Sequence, residues 1–285
     1  MTARSIDGKI LAQDIHRSVQ EGVAALRAHR GVPHLVAVQV GDGEATDVYV
    51  RRQRKRFGDL GIQYTHLHLD ASTTTDALLL HIDFLNSNPT VTGIIVTMPL
   101  PPEIVPHVIQ ERVTPAKDVE GVSPANLGRL IYNRHAVGPC TALAVLEAVQ
   151  STKVDLAGKS VCIVGHSDIV GKPVGLCLLH ELATITTCHV ATRDLARHTR
   201  EADILIVAVG KPDLIRADMV SEGAIVIDVG INRVGERLVG DVAFDEVAAK
   251  AGWITPVPGG IGPITVAMLA RNTLVCAQQI LDGEG

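Results

Sequence analysis

A chain of 285 residues carrying a net charge of −5, with 46% hydrophobic and 20% charged residues, is long enough for two domains and too apolar for intrinsic disorder. Aromatic residues make up only 2%, which leaves an aliphatic core and makes a stacking surface for single-stranded nucleic acid hard to assemble. The acidic balance argues the same way, because a phosphate backbone is held by a basic face.

No apolar run approaches the roughly 20 residues that cross a bilayer, so no membrane partner is expected. The opening MTARSIDGKILAQDIHRSV lacks the apolar stretch of a signal peptide. Five cysteines (Cys140, Cys162, Cys177, Cys188 and Cys276) are odd in number and show no CxxC spacing. Buried free thiols in a reducing, cytoplasmic compartment are the expectation.

Along the chain, His34–Val40, Tyr64–Leu69 and Gly93–Pro101 read as strands, separated by helical patterns around Thr46–Leu60 and Thr75–Asn86. That alternation means parallel strands joined by crossover helices. From Pro99 to Pro139 a richer supply of Pro and Gly breaks the rhythm and reads as connection and active-site loops. A second alternation follows. Ser160–His166 is a strand, Gly171–Leu182 a helix, and Thr184–His189, Ala202–Gly210 and Ala224–Gly230 are strands. Runs such as Ile204–Val209 are apolar on both faces, as in a sheet covered by helices on each side. A helix over Pro263–Leu281 closes the chain and is expected to dock on the first domain. The fold class is α/β, in two domains with a cleft between them.

The second domain opens with Val161-Cys-Ile-Val-Gly165-His166-Ser167-Asp-Ile-Val-Gly171-Lys-Pro173. A buried strand running into a glycine turn and a helix offers exposed N–H groups and a dipole that favour an anion. This is a variant of the dinucleotide fingerprint with Ser167 in place of the second glycine. The next strand ends in Cys188-His189-Val190 without the acidic residue that usually holds the ribose, so this pattern leaves NAD and NADP both open. Near the end, Thr255 to Gly262 packs two prolines and three glycines into eight residues and leads to Thr265. Such a rigid, side-chain-poor loop lets a flat ligand approach the backbone. Tyr49 and Gln53, four apart, share one helix face, and the cationic run Arg51–Arg56 reads as a solvated surface. His66 and His68 alternate on one strand face without a third ligand at a supporting spacing, so hydrogen-bonded histidines are expected and no metal.

Together these motifs resemble the methylenetetrahydrofolate dehydrogenase/cyclohydrolase family of one-carbon metabolism over essentially the whole chain. The most specific matches are Tyr49-Val, Pro99-Leu-Pro101, Lys117-Asp-Val-Glu-Gly121, Gly165 to Pro173, Gly230-Ile-Asn232, Val239-Gly-Asp241 and Pro256 to Pro263. The resemblance implies a folate-binding catalytic domain over residues 1–139, completed by the terminal helix 263–285. It implies a Rossmann-like NAD(P)-binding domain over 140–262, through which homodimers form. Methylene-tetrahydrofolate would pass a hydride to NAD(P)+, and water would then open the methenyl cation to formyl-tetrahydrofolate. By the same resemblance Tyr49 packs on the pterin, Glu120, Pro258, Gly259, Gly260 and Thr265 line its pocket, and Gly165, His166, Ser167, Gly171, Pro173, Val190, Gly210 and Ile231 hold the dinucleotide.

The departures fall on the catalytic set Tyr49, Gln53, Thr97 and Glu120. The family has YVxxK where this chain has Gln53, a glutamine where it has Thr97, and an aspartate where it has Glu120. Loss of hydride from the methylene carbon requires no proton transfer, so positioning and electrostatics carry it. Hydrolysis does require proton transfer, and a neutral amide does not titrate. A retained dehydrogenase with a lost or weakened cyclohydrolase is therefore the expectation. Val190 offers a 2′-phosphate no partner, which favours NAD. The alternatives are a silent folate or dinucleotide binder and a cyclohydrolase rebuilt around Glu120.

Overall fold

The computed structural model describes residues 2–29 and 31–283, and within them not the side chains of Glu44, Ala45 and Tyr49. In chain order the elements are β1 (Arg4–Ser5), α1 (Gly8–His29), β2 (His34–Val40), α2 (Glu44–Asp59), β3 (Gln63–Leu69), α3 (Thr75–Ser87), β4 (Gly93–Val96), α4 (Pro106–Arg112), α5 (Pro124–Ile131) and α6 (Cys140–Ser151). They continue with β5 (Ser160–Val164), α7 (Gly171–His180), β6 (Thr184–Cys188), α8 (Leu195–Arg200), β7 (Ile204–Val207), β8 (Ile225–Asp228), β9 (Asn232–Val234), β10 (Arg237–Val239), α9 (Phe244–Ala248), β11 (Trp253–Ile254) and α10 (Ile261–Asp282).

Two compact units result, one of Asp14–Gly138 with the residues from Leu269 on, the other of the residues up to Gln13 with Pro139–Met268. In the first unit β3-β2-β4 form a parallel sheet, with β2 central and Leu35 opposite both Tyr64 and Gly93. Val36, Val38 and Val40 pack with Leu78, Ile82 and Leu85 of α3 in an aliphatic layer on one face of that sheet. In the second unit six strands run in the order β1-β11-β8-β7-β5-β6, all parallel. β7 and β8 are buried along their whole length, as strands covered on both faces must be.

Several expectations are corrected. β1 adds to the edge of the six-stranded sheet beside β11, and the residues before Asp14 group with that unit. The strand expected over Gly93–Pro101 stops at Val96, because Pro99 and Pro101 have no N–H for a ladder. The connection from Pro99 to Pro139 contains two short helices, α4 and α5, each opened by a proline. α1 and the antiparallel β9–β10 pair were not foreseen. α1 buries Ala12, His16, Val19, Val23 and Leu26, a helical stripe at spacings of three and four. α10 is long and apolar enough to cross a membrane, contrary to the reading that no such run exists. Ile264, Ala267, Met268, Ala270, Cys276 and Ala277 are buried within the protein, as in a core helix.

Candidate active site

In the first unit the sheet's two faces differ in character. Side chains alternate along a strand, so Leu35, Ala37 and Gln39 of β2 share a face with Tyr64, His66 and His68 of β3. This is the face opposite the α3 layer, and α2 packs over it. The Gln53 carboxamide, buried at 2% exposure, accepts a hydrogen bond from the Tyr64 hydroxyl at 2.8 Å through Oε1. The Tyr64 ring meets Phe57 edge-on at 5.9 Å. Further along, Gln39 Nε2 donates to Asp47 Oδ1 at 2.9 Å, and its Oε1 accepts from His66 Nε2 at 3.0 Å. Helix α2 is thus tied to the sheet through two polar links. His66 and His68 stack at 5.6 Å, and His68 Nε2 bonds the Gly41 carbonyl, so both are hydrogen-bonded histidines. Burial, then His68 and Arg54, hold the His66 imidazole below its usual range. Arg51, Arg52, Arg54, Lys55 and Arg56 are exposed, a solvated face as read. The Tyr49 backbone is helical and its side chain lies outside the description.

Thr97 continues the ladder past β4, its N–H donating to the Val38 carbonyl at 2.9 Å and its hydroxyl to the same carbonyl at 3.2 Å. The hydroxyl is spent on the strand. In the following loop the Lys117 ammonium donates to the Leu85, Asn86 and Asn88 carbonyls at the end of α3, a charged cap on that helix. Asp118 accepts from the Gly121 and Ser123 N–H groups and from Asn126 Nδ2. Asn272 of α10 donates to the Val119 and Gly138 carbonyls, both at 2.9 Å. The segment is fixed on both sides of Glu120. Glu120 keeps a partial opening at the surface, yet burial, with the Asp118 carboxylate beside it, pushes its carboxyl up to about 8.

In the second unit the turn after β5 carries Gly165 at φ +123°. A Cβ there would collide with the Ala208 carbonyl, and one on Gly171 with the Gly165 carbonyl. These glycines are required by backbone packing, not only by approach of a phosphate. Ser167 Oγ accepts from the Val170 and Gly171 N–H groups at 3.2 and 3.4 Å. That corrects the reading of this turn as a set of open donors, since two of them are already capped. Asp168 and Lys172 form an ion pair beside it, and Pro173 is buried in α7. His166 and His189 meet edge to face at 5.2 Å, and Val190 after β6 is fully exposed.

A cavity of about 230 Å³ lies in the same unit, lined by Lys9, Val229, Ile231, Leu238 and the Pro256–Pro263 loop. It brings Pro258, Gly259 and Gly260 against Ile231, groups that the sequence reading divided between pterin and dinucleotide. Gly210, at φ +69°, donates its N–H to Asp241 at 3.0 Å. Thr265 turns its hydroxyl to the Ile261 carbonyl within α10. A larger recess of about 410 Å³, lined by Arg4, Lys159, Asp203 and Trp253, sits at the amino ends of the strands. Ligands of open α/β sheets bind at the carboxyl ends, where the glycine turn lies.

Residues 6–120 match the catalytic domain of the tetrahydrofolate dehydrogenase/cyclohydrolase family, and residues 139–281 match its NAD(P)-binding domain. The chain belongs to this family. It is 48% identical over 281 residues to the bifunctional protein FolD of Moorella thermoacetica, covering 98% of this chain and 100% of that one. The structure is similar to that of the FolD dehydrogenase/cyclohydrolase from Campylobacter jejuni, with TM-score 0.94, 41% identity and coverage of 97% and 99%. It is also similar to the Trypanosoma brucei enzyme complexed with NADP and an inhibitor, with TM-score 0.93, 38% identity and coverage of 98% of each chain.

Family membership gives meaning to what the side chains do. The fingerprint turn fits a dinucleotide by its place, after β5 at the carboxyl end of the parallel sheet and at the start of α7, where backbone N–H groups and the helix dipole favour an anion. All five cysteines are free, and burial pushes Cys162 and Cys276 up to about 12 and Cys177 to about 11, so these three are not poised nucleophiles. Sequence reasoning missed Tyr64, Lys117, Asp118 and Asn272. The KDVEG match pointed at the second and third of these, but as a motif surrounding Glu120 and without their work as anchors.

Proposed function

We propose that this chain is an NAD(P)-dependent methylenetetrahydrofolate dehydrogenase of one-carbon metabolism whose cyclohydrolase step is lost or strongly weakened. The observation that carries it is Gln53: a neutral carboxamide buried on the inner face of α2, where the family pattern has a lysine. When bound, the oxidised nicotinamide supplies the acceptor of a hydride. The methylene C–H bond breaks with both electrons leaving, and the two flanking nitrogens share the positive charge that remains. No proton moves in that step, so the chain's task is to position and to exclude water. Ile231, Val229, Leu238 and the Pro258–Gly260 backbone supply a largely apolar wall for it. Hydrolysis of the methenyl cation needs a proton taken from water and one given to a ring nitrogen, for which Gln53 has no titrating group. General acid–base groups contribute about 10²–10⁴-fold to such steps.

Glu120 is assigned to the pterin by the family resemblance. The second reading takes Glu120, whose carboxyl burial pushes up to about 8, as the acid–base group in place of the family lysine. NAD is preferred to NADP, on the ground that Val190 at the tip of β6 has no group for a 2′-phosphate. A homodimer through the dinucleotide unit is supported by the unpaired edge of β6 and by Leu182, 73% exposed just before it. A reducing, cytoplasmic location is supported by the five free cysteines.

The test mixes purified protein and methylene-tetrahydrofolate with NAD+ or NADP+, following reduced dinucleotide and methenyl product at separate wavelengths. Equal appearance of the two products, faster with NAD+, is expected. No reduced dinucleotide with either nucleotide, alongside calorimetric binding of both ligands, would make the chain a silent binder.

A further inference from the structure

The recess of about 410 Å³ at the amino ends of the six-stranded sheet is lined by neither the fingerprint turn nor the Pro256–Pro263 loop. β7 and β8 run from it to the loops that carry Gly210 and Ile231. Each strand is four residues long. At about 3.3 Å per residue the sheet separates its two ends by roughly 13 Å. Neither hydride transfer nor hydrolysis calls on the groups at this end. We propose that the recess is a second ligand site, which takes a small organic anion: a flat apolar ring carrying a phosphate or carboxylate.

The lining divides by chemistry. Ile204 and Ile225, the first residues of β7 and β8, and Ala251 supply its apolar part. Gly223 and Gly252 line it without side chains. The backbone there is already paired: the Ile225 N–H donates to the Asp203 carbonyl, Gly252 to that of Ala224 and Arg4 to that of Gly252, each at 2.9 Å. What a ligand meets is therefore side-chain charge, and that charge is unbalanced. Asp203 is the one carboxylate among the lining residues. Its Oδ2 accepts from the Ser160 N–H at 2.9 Å, and its Oδ1 faces the Lys159 ammonium at 3.9 Å. Among the described residues no carboxylate pairs with Arg4. Its guanidinium lies 5.3 Å from the centre of the Trp253 ring, an attraction that holds it at the recess instead of letting it trail in solvent. Two cations against one carboxylate leave a positive surplus beside an apolar wall. An anion on an apolar body satisfies both, whereas a neutral ligand gains nothing from the charge. The volume also falls within the range of about 300–1,000 Å³ that small-molecule sites occupy.

The chain's single tryptophan lines the recess, so its emission reports occupancy. Phenyl phosphate is titrated into wild type, Arg4→Gln and Lys159→Gln, each first checked for an unchanged melting profile. Trp253 emission and calorimetric heat are followed in parallel, because removing Arg4 from the indole also alters the emission itself. In wild type a saturable one-to-one signal is expected, and it persists at saturating NAD+ or NADP+. Each variant is expected to bind about tenfold more weakly, as befits the loss of one hydrogen bond to a charged group. Inorganic phosphate, which lacks the ring, is expected to bind weaker than phenyl phosphate by about tenfold or more. No saturable signal at millimolar phenyl phosphate overturns the proposal, and so does wild-type affinity in either variant. Displacement by NAD+ or NADP+ would place the probe at the fingerprint turn, and equal binding of inorganic phosphate would leave a bare ion site. Either of those results overturns it as well.

Discussion

Asp228 accepts the backbone N–H of Asp241 at 3.0 Å, and between them these two buried carboxylates tie together three loops. Asp228 also accepts from Gly230 and Val242, while Asp241 accepts from Val209, Gly210, Lys211 and Asn232 Nδ2. The loops are those after β7, β8 and β10, and they carry Gly210 and Ile231. Asp241→Asn turns an amide NH2 toward backbone donors, leaving buried groups unsatisfied at a cost of about 1–3 kcal/mol. A lower Tm together with a raised KM for dinucleotide is expected, measured by calorimetry and steady-state kinetics. A lower Tm with unchanged KM would show that the clamp serves stability alone.

Glu120 and Asp228 both titrate above the usual carboxylate range. Burial is the main cause for each, and it pushes them up to about 8 and about 6. Their native values lie above their unfolded ones, so over roughly pH 4–8 the folded chain holds protons that the unfolded chain has released. Stability should therefore fall as pH rises through that window and level off above about 8. Denaturant titrations of wild type and Glu120→Gln at intervals from pH 5 to 9 check this, with the slope between pH 6 and 8 largely gone in the variant. On the substrate side, a pterin donates N–H groups, which an ionised carboxylate accepts best. KM for methylene-tetrahydrofolate should accordingly fall as pH rises through about 8, and not in Glu120→Gln.

Gly165→Ala and Gly171→Ala separate a packing role from a binding role for the fingerprint turn. Each added methyl group runs into a backbone carbonyl, and at Gly165 the positive φ adds strain. Losses of about 2–4 kcal/mol in unfolding free energy are expected without any ligand present. Wild-type stability with weakened dinucleotide affinity would mean instead that these glycines serve the phosphate alone.

The strands were legible wherever a run is apolar on both faces, as at Ile204–Val207, because a covered parallel sheet leaves no other pattern for it. The fingerprint turn and the Pro256–Pro263 loop were legible for a different reason: few sequences place so many glycines and prolines together without a backbone need. What stayed hidden was side-chain partnership. Nothing in the spacing of Gln53 and Tyr64 marks a bond between α2 and β3, and the Lys117–Gly121 motif does not show that the Lys117 ammonium caps three carbonyls at the end of α3. Ser167 Oγ also accepts two N–H groups at the start of α7, a partnership that its place two residues past a turn glycine does not show in sequence. α1 escaped because its stripe includes His16, a polar member on the buried face.

Restoring the lysine probes the catalytic reading from the opposite side. Gln53→Lys with Thr97→Gln supplies a titrating amine and a support for it, and should raise methenyl hydrolysis by about 10²-fold or more while changing dehydrogenation far less. An equal change in both rates, followed in one stopped-flow series, would mean that position 53 acts on binding rather than on proton transfer.

The most direct measurement is the decay of added methenyl-tetrahydrofolate at neutral pH, with and without the wild-type chain, in the same preparation that reduces dinucleotide. Decay at the buffer rate beside active hydride transfer is the predicted result. Fast enzyme-dependent opening of the methenyl bridge, with Gln53 in place, would contradict it.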